Sequence, residues 1–265
     1  MKLLYYSNTY KLAKRLLSAI ENFISTVGEI TINGLIVIKY ILKLEINLKE
    51  LIFQCSRFGV SSLPITLSIV GMTSIIVAMQ VAGEMVKQGA GNYVGMLVAL
   101  LIVREVGVIM SGFAIISMIG SSLASEVATM KVTEQIDAVE VLQVNPIRYL
   151  FVPRVLSGVL MMPLVLIVAS LFGILTGAVA SYAVSELSFR AYFSSVWSGL
   201  ALRDIYVSLL KAVAFGFVIS LISCSCGFSA HGGAKGVGIA TTKSVVWSFV
   251  AIVIIDLLFA LAFFF

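Results

Sequence analysis

Apolar residues at Leu12, Leu16, Leu17, Ile20, Phe23, Ile24 and Val27 recur at helical spacing along one face. Lys11, Lys14, Arg15 and Glu21 fall mostly around the rest of that helix. This pattern predicts a helix lying in a membrane interface, with packing on a soluble partner as the alternative. Polar residues interrupt the run too early for a cleavable signal peptide. From 30 to 57 the charges Lys39, Lys43, Glu45, Lys49, Glu50 and Arg57 recur too often for a clean span, which predicts a second interfacial or elbow segment.

Beyond residue 57 the pattern changes to long apolar runs at about 60–83, 93–124, 155–184, 205–227 and 245–265. Each is long enough to cross a bilayer as a helix. The expected architecture is an all-α polytopic membrane protein: an interfacial or elbow region over 1–57, then a five-helix transmembrane domain over 58–265. The apolar residues do not alternate at period two, which argues against a transmembrane β-barrel. No internal repeat is visible. A Gly-rich loop is expected from 227 to 243.

Composition agrees with this pattern. The chain of 265 residues is 60% hydrophobic and 12% charged, with a mean hydropathy of +1.09. Soluble domains run at about 45–50% apolar and about 25% charged, so a soluble, disordered or disulfide-framework protein is excluded. The net charge of +5 carries no basic stretch interleaved with aromatics, so nucleic acid is not an expected partner. Its distribution is informative. With five spans, one side holds Lys11, Lys43, Arg57, Lys131, Arg154 and Lys235 among others, whereas the opposite side holds Lys87, Arg190 and Arg203. The positive-inside rule sets the first group in the cytoplasm or an equivalent compartment.

Several chemistries lack their residues. One histidine, His231, and three cysteines, Cys55, Cys224 and Cys226, leave little for zinc, redox or triad chemistry. There is no H-E-x-x-H or G-x-S-x-G, which weakens an intramembrane lipid enzyme. The stretch Gly232-Gly-Ala-Lys-Gly-Val-Gly lacks the Gly-Lys-Ser/Thr of a P-loop. Energy for any transport must then come from a partner or an ion gradient.

The charges inside the spans are the remaining candidates. Arg104 and Glu105 interrupt the second run, Lys211 lies in the fourth and Asp256 in the fifth. Intramembrane charge costs about 2.5–3.5 kcal/mol on the translocon scale and faces a cavity or a partner. Adjacent helical residues point about 100° apart, so Arg104 and Glu105 do not pair face to face. They line a lipid cavity or lock helices together; Lys211 and Asp256 neutralise each other as a pair. Val77, Gln80 and Met85 at the far end of the first span line a lipid path or simply pack. An ion relay through Arg104, Glu105, Lys211 and Asp256 would instead make the chain a gradient-coupled transporter or channel.

The most polar stretch of the body runs from Glu126 through Lys131, Thr133, Glu134, Gln135, Asp137 and Glu140 to Arg148, with Pro146 and Pro153 near its end. A short helix there suits a lever that docks on another protein. The run Glu126-Val-Ala-Thr-Met-Lys-Val-Thr-Glu-Gln-Ile-Asp-Ala-Val-Glu-Val-Leu-Gln-Val-Asn-Pro, with Val152-Pro-Arg-Val-Leu, closely resembles the signature of the MlaE/YrbE permease family. Arg104-Glu-Val-Gly and the Asp256 span are also similar to it, and the likeness covers about 50–265. Val108 stands where the family has Pro, and Ser117-Met-Ile-Gly where it has Gly-Arg-x-Gly.

The resemblance implies a homodimeric permease subunit of an MCE-type lipid ABC transporter, with a phospholipid substrate and an MCE-domain partner. It implies two cytoplasmic ATPase subunits that hold the ATP and Mg, with no cofactor on this chain. The 126–142 segment would be the coupling helix, carried by Glu134, Gln135 and Asp137 and shaped by Glu126, Lys131, Thr133 and Ile136. In the family, the glutamate matching Glu105 is associated with the lipid cavity. The implied location is a bacterial inner membrane or an organelle inner envelope.

Overall fold

The computed structural model describes residues 21, 24–43 and 47–263. The expected interfacial helix at 12–27 lies outside the described residues except at Glu21 and 24–27. All regular structure among the described residues is helical. Six stretches are long and apolar enough to cross a membrane: Ile24–Leu42, Leu48–Lys87, Gly91–Val132, Ile147–Ser185, Leu202–Phe228 and Gly233–Phe263. The last five contain the five runs expected from sequence, the last of them as far as residue 263, where the described residues end. The first, α1 (Ile24–Leu42), falls mostly in the segment read as an elbow.

Helix α2 (Leu48–Gly59) opens on Asn47, whose side chain accepts from the Glu50 N–H. It breaks at 60–62 before α3 (Leu63–Lys87). Pro64 in the first turn of α3 fits there because that N–H has no helical partner. The Ser62 hydroxyl donates to the Phe58 and Gly59 carbonyls at 2.6 and 3.2 Å, which satisfies the break. The next long helix contains α4 (Val94–Leu101), α5 (Gly107–Ile115) and α6 (Ser121–Val132), joined by π-helical turns at Ile102–Val106 and Ile116–Gly120. After the short α7 (Gln135–Val141) and a π-helical turn at Ile147–Phe151 come α8 (Val152–Ser185), α9 (Phe189–Gly199), α10 (Leu202–Phe228) and α11 (Gly233–Phe263).

Connectivity puts α7 at one end of the bundle and α9 at the other. The contacts described for α1 all lie at the α7 end: Lys243 donates to Thr26, Asn33 donates to Ser225, Ser229 donates to Glu29, and Gly34 meets Leu221. Val37 joins the cluster of Ile136, Leu150 and Phe151. Helix α1 therefore packs on that end.

The Gly-rich loop expected at 227–243 is much shorter than the sequence suggests, because α10 continues to Phe228 and α11 begins at Gly233. Glycine lowers helix propensity, yet here packing overrides it: a Cβ on Gly236 would strike the His231 backbone. Positive φ at Gly232 and Gly233 makes the turn. Helix α9 has no counterpart in the apolar runs. It buries Tyr192, Ser195 and Val196 and seats the Tyr192 backbone on Gly95, where a Cβ would collide.

Small residues let the long helices approach. Gly173 of α8 faces Ser74 and Val70 of α3, and Gly158 of α8 meets Gly216 of α10 backbone to backbone. This is how helices associate where lipid removes the hydrophobic drive between them. Large apolar side chains such as Met72, Ile76, Leu164, Leu171, Ile254 and Leu258 point outward, as a hydrocarbon solvent permits. Gly216→Ala is expected to destabilise the protein by about 2 kcal/mol in thermal unfolding in detergent, because its Cβ would overlap the Gly158 carbonyl. Gly83→Ala, with open space around it, is expected to be neutral or mildly stabilising.

Candidate functional site

The intramembrane charges meet in one place. Lys211 on α10 is fully buried, and its Nζ reaches Asp256 Oδ1 of α11 at 2.8 Å and both Glu105 carboxylate oxygens at 3.0 Å. It also donates to the Arg104 carbonyl at 3.0 Å. One ammonium thus serves two carboxylates from two other helices. The pair expected between Lys211 and Asp256 is present as geometry, and Glu105 joins it as a third member. Glu105 stays about one-third exposed while Lys211 is closed off.

Arg104 turns the other way. Its Nε and Nη2 donate to Asp204 Oδ1, each at 2.9 Å. Asp204 sits in the first turn of α10, almost fully buried, and its other oxygen accepts from the Ala201 N–H at 3.3 Å. Acidic residues belong at helix N-termini, where orphan N–H groups and the dipole favour negative charge. Asp204 is not marked by the sequence, because it lies ahead of the apolar run. The need of Arg104 for a counter-ion was the available signal. The π-helical turn holding Arg104 and Glu105 sends one towards Asp204 and the other towards Lys211.

Of the residues suggested for a lipid path on α3, Val77 and Met85 are half-buried and Gln80 is exposed. Met85 packs against the cluster of Ala82, Val94 and Tyr192. Burial raises the Tyr192 phenol well above its ordinary pKa.

The polar 126–148 segment is not one helix. Glu126 and Lys131 belong to α6, which ends at Val132, and α7 starts only at Gln135. Between them Glu134 adopts φ 60°, a left-handed conformation that breaks the helix. Lys131 bridges the break to Asp137 Oδ1 at 2.8 Å, and the Thr133 hydroxyl donates to the Thr129 carbonyl. Ile136 is fully buried among Val127, Leu150, Phe151 and Val152 and anchors α7. Glu134, Gln135 and Asp137 face outward. The tip beyond them exposes Val141 at 82% and Leu142 at 75%, a feature the charge pattern hid. Asn145 Oδ1 then accepts from the Ile147 and Arg148 N–H groups and restarts the chain as helix.

Glu126 itself faces inward to two arginines, Arg57 and Arg154, whose pairing no sequence pattern announces. Arg57 Nη1 of α2 and Arg154 Nη2 of α8 donate to its two oxygens. Arg57 also donates to the Ser122 hydroxyl at 3.0 Å, and Arg154 to the Leu150 carbonyl at 2.8 Å.

Among the described residues no group of three His, Cys, Asp or Glu could hold a metal ion. Lys211→Met would strand two carboxylates in the bundle. It is expected to cost about 3 kcal/mol in thermal unfolding in detergent, with most of the loss recovered in Lys211→Met/Glu105→Gln/Asp256→Asn.

A family profile described as Permease MlaE matches residues 51–262. A probable ABC transporter permease protein of Rickettsia typhi is 35% identical over 232 residues, covering 88% of this chain and 90% of that protein. One of Synechocystis is 36% identical over 215 residues, covering 81% and 82%. Another, of Pyropia yezoensis, is 34% identical over 221 residues and covers 83% of each chain. With the family signature matched across most of its length and laid out on a multi-pass helical bundle, the chain belongs to the MlaE family of ABC transporter permeases.

Proposed function

We propose that the chain is half of a homodimeric permease that moves phospholipid or a similar amphipathic lipid between membranes. Two ATPase subunits, which hold the ATP and Mg, dock at the α7 end. An MCE-domain lipid-binding protein meets the α9 end. The protein works in a bacterial inner membrane or an organelle inner envelope of the same descent.

The observation that carries this reading is α7 itself. Seven residues long, it is pinned from below by Ile136 and from the side by the Lys131–Asp137 ion pair, while Glu134, Gln135 and Asp137 face outward. A stiff acidic ridge beside the apolar tip Val141–Leu142 supplies what a docking lever needs: an apolar anchor and charges that set register. Membership of the MlaE family supports the lipid substrate, and the partial exposure of Arg104 and Glu105 is compatible with a lining that meets a headgroup. Those charges, together with Lys211, Asp256 and Asp204, pair with one another, which supports a structural role over an ion relay.

Glu134→Lys tests the docking. The variant is expected to fold and stay monodisperse in gentle detergent, because the side chain is exposed. Its retention of co-purifying ATPase, or its lipid transport, is expected to fall about tenfold, the equivalent of 1.4 kcal/mol. Wild-type ATPase retention together with wild-type transport would contradict the proposal.

A further inference from the structure

We infer that Arg57, Glu126 and Arg154 form a joint that makes the elbow helix α2 and the foot of α8 follow α6 when a partner displaces α7. This rests on the docking reading of α7. It adds the path by which a push leaves that helix, and two positioning residues, Arg57 and Arg154, that the docking reading does not use.

The path is continuous. Ile136 of α7 is buried in one cluster with Val127 of α6, and Asp137 bonds to Lys131 at 2.8 Å, so packing and an ion pair join the two helices across the left-handed break at Glu134. From Lys131 the α6 backbone runs back to Glu126 without interruption, about 8 Å along the axis. There one carboxylate takes a guanidinium on each oxygen: Arg57 from the last turn of α2 and Arg154 from the first turn of α8. Both bonds are charge-assisted, the strong class of hydrogen bond.

The surroundings fix the joint at both outer ends. Arg154 is 3% exposed and its second nitrogen is held by the Leu150 carbonyl, inside the π-helical turn that precedes α8. Arg57 is held a second time by Ser122, one turn before Glu126 on the same helix. A helix tied at Ser122 and Glu126 to one arginine drags that arginine along its own axis. Two residues past Arg57 α2 ends, and the 60–62 break separates it from α3. Glu126 thus links the lever to the end of α2 just before α3 and to the base of α8, and α3 and α8 pack together along Gly71 and Gly173.

A purely stabilising cluster would be made of the same bonds, so the test separates the two. Arg57→Gln removes the half-exposed member and leaves the buried Arg154 paired with Glu126, so the fold is kept. The assembled complex, permease with its co-purified ATPase subunits, is reconstituted in phospholipid vesicles, and lipid transferred per ATP hydrolysed is measured. With ATPase retention and thermal stability at the wild-type level, Arg57→Gln is expected to lower that ratio about five- to tenfold, within the range of coupling energies. Arg57→Lys, which keeps the charge, is expected to recover at least half of it.

An unchanged ratio in Arg57→Gln would overturn the joint while leaving the docking reading standing. Loss of ATPase retention or stability in step with transport would assign Arg57 a structural role and also overturn it. Failure of the wild-type chain to retain any ATPase would instead remove the docking reading beneath it.

Discussion

A lysine ammonium with no exposure, held among three helices, is the constraint around which this bundle is organised. Lys211 cannot be buried charged without partners, and it finds them in Asp256 on α11 and in Glu105 and the Arg104 carbonyl of the π-helical turn between α4 and α5. The π-helical turn at Ile102–Val106 accompanies this arrangement, presenting Glu105 to Lys211 while Arg104 reaches Asp204 at the start of α10. Helix α10 is therefore held by charge near its start and in its middle. Further along it is held by close backbone approach, at Gly216 against Gly158 of α8. Charge fixes the register and small residues fix the distance, a division suited to a lipid solvent in which apolar surface alone discriminates poorly.

The two ends of the bundle differ in kind. At the α9 end an amphipathic helix closes over the start of α4 through Tyr192 and Gly95, and it leaves Trp197 89% exposed. At the α7 end, polar side chains dominate: the Lys131–Asp137 pair, the Glu126 cluster and the side-chain contacts of α1 to Ser225, Ser229 and Lys243. Salt bridges and caps concentrate where the chain turns and where a soluble partner would act. The interior between the two ends rests on packing, on the shared Lys211 ammonium and on the Arg104–Asp204 pair.

Much of this was legible in the sequence because the bilayer imposes a simple pattern. Five uncharged or nearly uncharged runs predicted five of the long helices, and the Thr133-Glu-Gln-Ile-Asp core identified the family. What escaped had physical reasons. Asp204 lay outside the apolar run, and its role depends on Arg104, 100 residues away in sequence. Arg57 and Arg154 counted towards the orientation bias, since composition cannot tell a headgroup contact from an ion pair. Helix α9 is short and amphipathic, so a search for spans passes over it. The start of α11 was hidden by glycines whose value lies in close approach, as at Gly236, rather than in flexibility. The helix break at Glu134 was not readable either, because no glycine or proline marks it.

On the proposed function, the buried charges hold the permease together while energy enters from outside it, through α7. The direct measurement is lipid transfer by the assembled complex in sealed vesicles, with ATP and ion gradients varied independently. Transfer is expected to require ATP and to persist after ionophores collapse every gradient. Transfer driven by an imposed proton or sodium gradient in the absence of ATP would contradict it and return Arg104, Glu105, Lys211 and Asp256 to the role of an ion relay.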